Sequence, residues 1–167
     1  MNSEQDSYIY GSTTGNTENV ANQLAELLNA DVFDASTKPT EAINKYDNLI
    51  LGTSTWGAGD LQDNWEDFIE ELKNTNLKGK TVALFGLGDA CSNGDTFVGG
   101  MAQLYSTVKD LNCKIVGSVD IESYEFEESD AVVDGKFIGL ALDEESQGDL
   151  SEERINKWVE QISKELK

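Results

Sequence analysis

YIYGSTTGNT, residues 8–17, decides how this chain is read. An apolar run, Tyr8-Ile9-Tyr10, is short enough for a strand and ends at Gly11. Hydroxyls follow at Ser12, Thr13, Thr14 and Thr17, and Asn16–Leu28 then has helical spacing in Val20, Leu24, Leu27 and Leu28. A strand that hands over to a helix through such a loop offers an anion backbone N–H groups and the positive end of the helix dipole. Gly11 and Gly15 allow the backbone to come close. A triphosphate loop of the form G-x-x-x-x-G-K-[ST] needs a lysine, which is missing, and G-x-G-x-x-G is absent too. Uncharged donors alone suit one terminal phosphomonoester that stays bound and is not transferred. A ligand-free helix cap is the plainer alternative, and a hydroxyl at nearly every available position weighs against it.

Outward from this stretch, strands and helices alternate. Ser7–Tyr10, Ala30–Phe33, Asn48–Gly52, Thr81–Gly86 and Ile115–Val119 are predicted strands. A helical turn is predicted near Thr40–Asn44, and helices over Asn64–Leu72, Phe97–Leu111 and Ser151–Leu166. The last places Ile155, Trp158, Val159, Ile162 and Leu166 on one face. Its opening, SEER, resembles a capping box with Ser151 at the cap and Arg154 where glutamate is usual. TVALFG, residues 81–86, is apolar almost throughout, as befits a strand covered on both faces. Strict alternation predicts an α/β fold with one parallel sheet and helices on both sides. Ligands of such sheets sit beyond the carboxyl ends of the strands, so the loops to read are 11–17, 53–63 and 87–96. From Asp120 to Leu142 the rhythm breaks. Tyr124, Phe126, Phe137, an Asp134-Gly135 turn and a second apolar stretch, Phe137–Leu142, predict an insertion splitting the fifth strand. Its aromatics and its length argue against a bare loop.

Length and composition narrow the class. The 167 residues make one domain, 1–167, large enough for a continuous core. Net charge is −20, from 32 acidic and 12 basic residues, so nucleic acid is excluded as a partner and basic protein surfaces are favoured. Histidine, the usual neutral-pH base and metal ligand, is absent, and no metal site is expected. Cys91 and Cys113 have neither metal nor redox spacing and read as free thiols of a reducing compartment. MNSEQDS lacks the basic and apolar regions of a secretory signal, and no apolar run is long enough for a bilayer. A cytoplasmic protein without membrane insertion is expected.

The second loop, TSTWGAGDLQD at 53–63, sets Trp56 past a strand end among small residues. An indole there is either a displaced core residue or a plate for a flat ring. Gly57, Ala58 and Gly59 leave the backbone free to turn carbonyls or N–H groups toward that ring. The third loop, LGDACSNGDT at 87–96, is small and polar and can reach a heterocycle's edge. Phosphate cradle, aromatic plate and edge contacts together outline a site for a flat mononucleotide.

These motifs resemble those of the flavodoxins. GSTTGNT matches the family's phosphate loop, STWGAGDLQDNWEDF its second flavin loop, and GLGD opens its third. FIGLALDEESQGDLSEERINKWVEQI resembles the family's C-terminal stretch, and the insertion at about 120–139 marks the long-chain group. The resemblance covers nearly the whole chain, with the motifs in order. It implies a flavodoxin-like three-layer sandwich, a five-stranded parallel sheet of order 2-1-3-4-5, and one non-covalently bound FMN. It further implies a low-potential one-electron carrier acting in place of ferredoxin, an electron-transfer protein and not an enzyme. Implied partners are redox proteins with basic docking surfaces: a ferredoxin/flavodoxin-NADP reductase type, photosystem I, or other ferredoxin-dependent enzymes. A monomer is expected. By the same matching, Ser12, Thr13, Thr14, Gly15, Asn16 and Thr17 hold the FMN phosphate. Thr55, Trp56, Gly57, Ala58 and Gly59 line one side of the flavin; Leu87, Gly88 and Asp89 approach its pyrimidine edge; Asn93, Thr96 and Phe97 belong to the third loop.

The protein's share of the redox chemistry is the environment of the ring. A Gly57 carbonyl turned inward can accept a hydrogen bond from flavin N5 when that nitrogen is protonated, which separates the two one-electron steps. A carboxylate about 10 Å from a negative flavin costs roughly 0.4 kcal/mol in water, or roughly 20 mV for one electron. With no lysine or arginine in the three loops, such terms add unopposed and lower the second potential. Asp60, Asp63, Glu66 and Asp67 are the candidate rim acids. Two other classes compete. An FMN-dependent quinone reductase of the same fold must admit NAD(P)H, which this acidity repels. A signalling receiver needs a phosphoacceptor aspartate after the third strand, where Thr53–Thr55 stand.

One departure from the family has a measurable effect. Aligning GLGD puts Asn93 where the family usually stacks a tyrosine on the outer flavin face. An aromatic stack is worth about 0.5–1.5 kcal/mol beyond burial. Asn93→Tyr is therefore expected to tighten oxidised FMN roughly two- to tenfold and to make reduction harder. An FMN fluorescence titration with a potentiometric titration checks both, and unchanged values would refute the role given to this position.

Overall fold

The protein, seen in a computed structural model, is described over residues 6–11, 16–28, 31–34, 48–56, 60–61, 69–74, 77–87, 98–122, 124, 129, 131–143 and 148–165. Its sheet begins with β1 (Asp6–Gly11), flanked in parallel by β2 (Asp31–Asp34) and β3 (Asn48–Trp56). A two-residue β4 (Asp60–Leu61) folds back antiparallel on the end of β3. β5 (Thr81–Leu87) pairs in parallel with β3 and on its other side meets two short strands. β6 (Lys114–Val116) lies along its first half and β10 (Leu140–Leu142) along its second, both parallel. Along the sheet the order is β2-β1-β3-β5-β10, with β4 attached to β3 and β6 to β5.

Alternation along the strands makes two cores. Leu49, Leu51, Val82 and Leu84 face one way, against Leu72 and against α2 (Gly99–Val108) through Met101, Leu104 and Val108. Ile50, Ala83, Phe85 and Leu87 face the other, against α1 (Asn16–Leu28) and α3 (Ser151–Ile162) through Val20, Leu24, Ile155, Trp158 and Ile162. Every residue of β5 is buried, as its apolar run predicts. Each such leucine or phenylalanine contributes about 1.5–3 kcal/mol when removed from water. No helix among the described residues is long and apolar enough to cross a membrane. The expected turn at 40–44 and the helix from 64 lie outside the described residues, apart from helical residues 69–73.

The insertion does split the fifth strand. Gly117, at φ +90°, turns the chain off after β6. β7 (Val119–Asp120), β8 (Val132–Val133) and β9 (Lys136–Phe137) then form a small antiparallel sheet of order β7-β9-β8. Val119, expected to end strand five, therefore belongs to the insertion. Asp134 and Gly135 join β8 to β9 at φ +55° and +80°, the pair of left-handed residues a two-residue hairpin of matching twist requires. Tyr124 fixes the insertion to the rest. Its hydroxyl donates to the Ala141 carbonyl of β10 at 2.6 Å, and its ring packs edge-on against Phe137 with centroids 4.8 Å apart. The Arg154 guanidinium of α3 lies 3.8 Å from the same ring. Trp158 Nε1 and Gln161 Nε2 donate to the carbonyls of Gly117 and Ser118, each at 2.8 Å, and secure the insertion's root.

Two local expectations are corrected. Ser151 does not cap α3. Leu150 holds the cap position in helical backbone (φ −95°, ψ −10°) after a 3-10 turn at Gly148–Leu150, with no side-chain cap bond. A capping side chain needs an extended residue before the helix, and here the chain enters already coiled. Leu27, expected on the packed face of α1, is 51% exposed. Ala21 and Ala25 are buried instead, and at about 100° per residue they rotate the packed stripe roughly 90° away from Leu27.

Gly139 re-enters the sheet so closely that a β-carbon there would stand 2.1 Å from the Leu84 carbonyl oxygen. Gly139→Ala is expected to cost about 3 kcal/mol, because the obstacle is backbone and cannot move aside. A thermal melt should then show Tm lowered by about 6–12 °C. Burial pushes the Tyr124 phenol up to about 12, with Arg154 partly opposing the rise. The fold thus favours the neutral phenol, so its stability is full below about pH 10 and falls as pH climbs through about 12. Alkaline titration of phenolate absorbance should find one of the five tyrosines ionising last, as unfolding begins.

Candidate functional site

Three strand ends meet at one edge of the sheet. Gly11, the last residue of β1, pairs with Thr53 of β3, and Ser54 of β3 pairs with Leu87, the last residue of β5. The chain leaves β1 at Gly11 and is helical again from Asn16, so the N-terminus of α1 follows β1 after a four-residue link. β3 continues three residues past Thr53 to Trp56 and turns back through β4, with Trp56 opposite Asp60 and Thr55 opposite Leu61. Parallel pairing alone brings these segments together, since their sequence separations exceed any local contact.

Of the expected site residues, Asn16 and Thr17 open α1, Thr55 and Trp56 end β3, and Leu87 ends β5. Leu87 is 5% exposed and belongs to the core facing α1 and α3. Ser12, Thr13, Thr14, Gly15, Gly57, Ala58, Gly59, Gly88, Asp89, Asn93, Thr96 and Phe97 lie outside the described residues, as do the rim acids Asp63, Glu66 and Asp67. Asp60 is in β4. Thr53, fully buried where β1, β3 and β5 run side by side, is a polar residue that sequence reasoning used only to argue against a receiver. An alternating strand pattern gives no sign that this hydroxyl would be enclosed.

Electrostatically the edge is one-sided. Residues 11–17, 53–63 and 87–97 contain no lysine or arginine, so these stretches offer an anion N–H groups and hydroxyls but no cationic side chain. No group of three or more potential metal ligands occurs among the described residues. A separate cleft of about 440 Å³ lies away from these strand ends, between the insertion and α3, lined by Tyr124, Lys136, Arg154 and Trp158 among others. Nothing in the sequence pattern signalled it, because it depends on how the insertion docks.

An open parallel sheet wound on both faces, with the ends of β1, β3 and β5 at one edge and α1 starting soon after β1, is the architecture of α/β proteins that bind ligands beyond the carboxyl ends of their strands. The flavodoxin family model matches residues 9–158. The flavodoxin of Helicobacter pylori is 42% identical over 155 residues, covering 92% of this chain and 93% of that protein. Flavodoxin 1 of Azotobacter vinelandii is 40% identical over 165 residues, 95% of each. The crystal structure of Fusobacterium nucleatum flavodoxin bound to flavin mononucleotide matches with a TM-score of 0.92 at 34% identity, over 97% of this chain and 98% of that one. The chain belongs to the flavodoxin family.

Proposed function

We propose that this chain carries single electrons between redox proteins on one FMN bound at the shared edge of β1, β3 and β5. Flavodoxins are electron-transfer proteins and not enzymes, and FMN supplies the capacity to take up and release electrons one at a time. The observation that carries the assignment is the register Gly11↔Thr53 with Ser54↔Leu87, which sets three family-matched loops at one level. The residues present fit this cofactor. A helix opening at Asn16, four residues after β1, suits a single phosphate, and loops free of cations suit a phosphate that is held and not transferred.

In this reading Ser12, Thr13, Thr14 and Thr17, with the backbone at Gly15 and Asn16, donate to the phosphate oxygens. Trp56, with Thr55, Gly57, Ala58 and Gly59, covers one face of the flat ring and keeps water from it. The Gly57 carbonyl accepts a hydrogen bond at N5. Leu87, Gly88 and Asp89 contact the pyrimidine edge, and Asn93, Thr96 and Phe97 bound the outer side. Carboxylates without neighbouring cations disfavour negative charge on the ring and so lower the second potential. The same acids, Asp60 among them, suit partners with basic docking surfaces, such as a ferredoxin/flavodoxin-NADP reductase, photosystem I or another ferredoxin-dependent enzyme. We read the chain as one domain that acts as a monomer, and the free thiol of Cys113 accords with a reducing cytoplasm.

The test is direct. Apoprotein titrated with riboflavin phosphate is expected to quench its fluorescence at one-to-one stoichiometry and to turn yellow. Thr13→Val and Thr14→Val together are expected to weaken binding by about tenfold or more, at about 1 kcal/mol for each hydrogen bond lost. Wild-type protein that leaves the fluorescence unchanged at excess ligand overturns the function.

A further inference from the structure

We propose that Tyr124, a residue of the insertion, is a positioning residue for the third cofactor loop, acting through the edge strand β10. The inference rests on the FMN reading above and extends it to a part of the chain to which that reading gives no role.

The last three residues of β5 have a partner on this side only because β10 is there. Phe85, Gly86 and Leu87 pair with Leu140, Ala141 and Leu142, whereas β6 reaches only Thr81 to Ala83. Leu87 is where β5 stops and the third loop starts. A three-residue edge strand has few ladder bonds of its own, so its placement leans on side-chain ties. Tyr124 provides one at the middle of the strand, its hydroxyl donating to the Ala141 carbonyl at 2.6 Å in a buried setting. The phenol is itself held from two directions, by Phe137 of β9 and by Arg154 of α3. One oxygen atom thus joins the insertion to the strand that flanks the loop's root. Removing it leaves a buried carbonyl without this donor, which costs more than a lost exposed contact.

The insertion has a second tie that serves as a control. Gln161 Nε2 donates to the Ser118 carbonyl at the insertion's root, at an exposed position and to a residue outside β10. If Tyr124 acts only by holding the insertion on the protein, losing either bond should have the same effect on the cofactor. If it positions β10, only the tyrosine should matter.

The experiment compares wild type, Tyr124→Phe and Gln161→Ala as FMN-loaded proteins. It measures the FMN dissociation constant, both reduction potentials at saturating FMN, and amide hydrogen exchange at Leu87 and Leu142. Tyr124→Phe is expected to raise the dissociation constant about fivefold, the equivalent of one hydrogen bond, to shift the potentials, and to speed exchange at Leu87 and Leu142. Gln161→Ala is expected to lower Tm while the dissociation constant and potentials stay at wild-type values. Equal effects of the two variants, or a Tyr124→Phe protein that binds and titrates like wild type, overturn the inference alone. Wild-type protein that takes up no FMN overturns the cofactor reading and this inference with it, and that result is visible before any variant is made.

Discussion

Parallel strands cannot be joined by a tight turn, so each must be followed by a crossover that returns the chain to the same end of the sheet. Every loop that follows a strand therefore emerges at one edge. In this protein the constraint does most of the assembly of the site. Gly11 stands beside Thr53, and Ser54 beside Leu87, so the ends of β1 and β5 differ in level by about one residue. β3 overshoots Thr53 by three residues, roughly 10 Å at about 3.3 Å each, before turning back through β4. That overshoot is what carries the backbone of Trp56 beyond the strand ends on either side. Helix α1, which must start near the end of β1 to cross back, brings its N-terminus to the same place. The phosphate donors, ring plate and edge contacts proposed above would thus be consequences of one pairing pattern, with local sequence choosing what each loop displays.

The same sheet shows how a large insertion is absorbed without disturbing that edge. β6 and β10 occupy the outer side of β5 in line, covering 81–83 and 85–87 and leaving Leu84 between them. The chain leaves at Gly117 and returns at Gly139, which packs against the Leu84 carbonyl. Strand five keeps its direction and its register on both sides of the break, so the cost in ladder pairing is about one position. The inserted segment then builds its own three strands and fills one face of the core with Tyr124, Ala131, Phe137 and Ile138. It is part of the hydrophobic structure, and Tyr124 extends its influence to β10.

The layered fold was legible because its signals are local and redundant. The 3.6-residue spacing in Asn16–Leu28 and the unbroken apolar run of β5 each name an element, and their alternation leaves one architecture open. Even the break in strand five could be read, from the Asp134-Gly135 turn and the second apolar stretch after it. What escaped depends on tertiary contacts. Leu27 looks like a core residue by spacing alone, but the small Ala21 and Ala25 let the sheet choose a neighbouring face. SEER has the composition of a cap, yet the 3-10 turn before it determines the backbone at Leu150. Arg154, which seemed a defect in that cap, is recruited by an aromatic ring thirty positions earlier in the chain. The loops of the site were legible as chemistry, in hydroxyls, glycines and an indole, while the enclosure of Thr53 and the cleft beside α3 follow only from packing.

Charge is arranged along the strand axis as well as in total. Lys78 and Lys80 precede β5, Lys114 opens β6 with its N–H donating to the Lys80 carbonyl at 2.9 Å, and Lys109 follows α2, all toward the end of the sheet where strands begin. The three loops at the opposite end have none. The seven residues of β5 separate the two ends by roughly 20 Å, more than twice the Debye length of about 8 Å at physiological salt. These four lysines therefore do little to offset acids beyond the opposite ends of the strands. A negative charge on a ring bound there, as proposed above, would meet those acids without nearby compensation from these lysines. In the reading proposed above, a low second potential and a preference for basic partners would share one physical cause, the lack of lysine and arginine in the three loops.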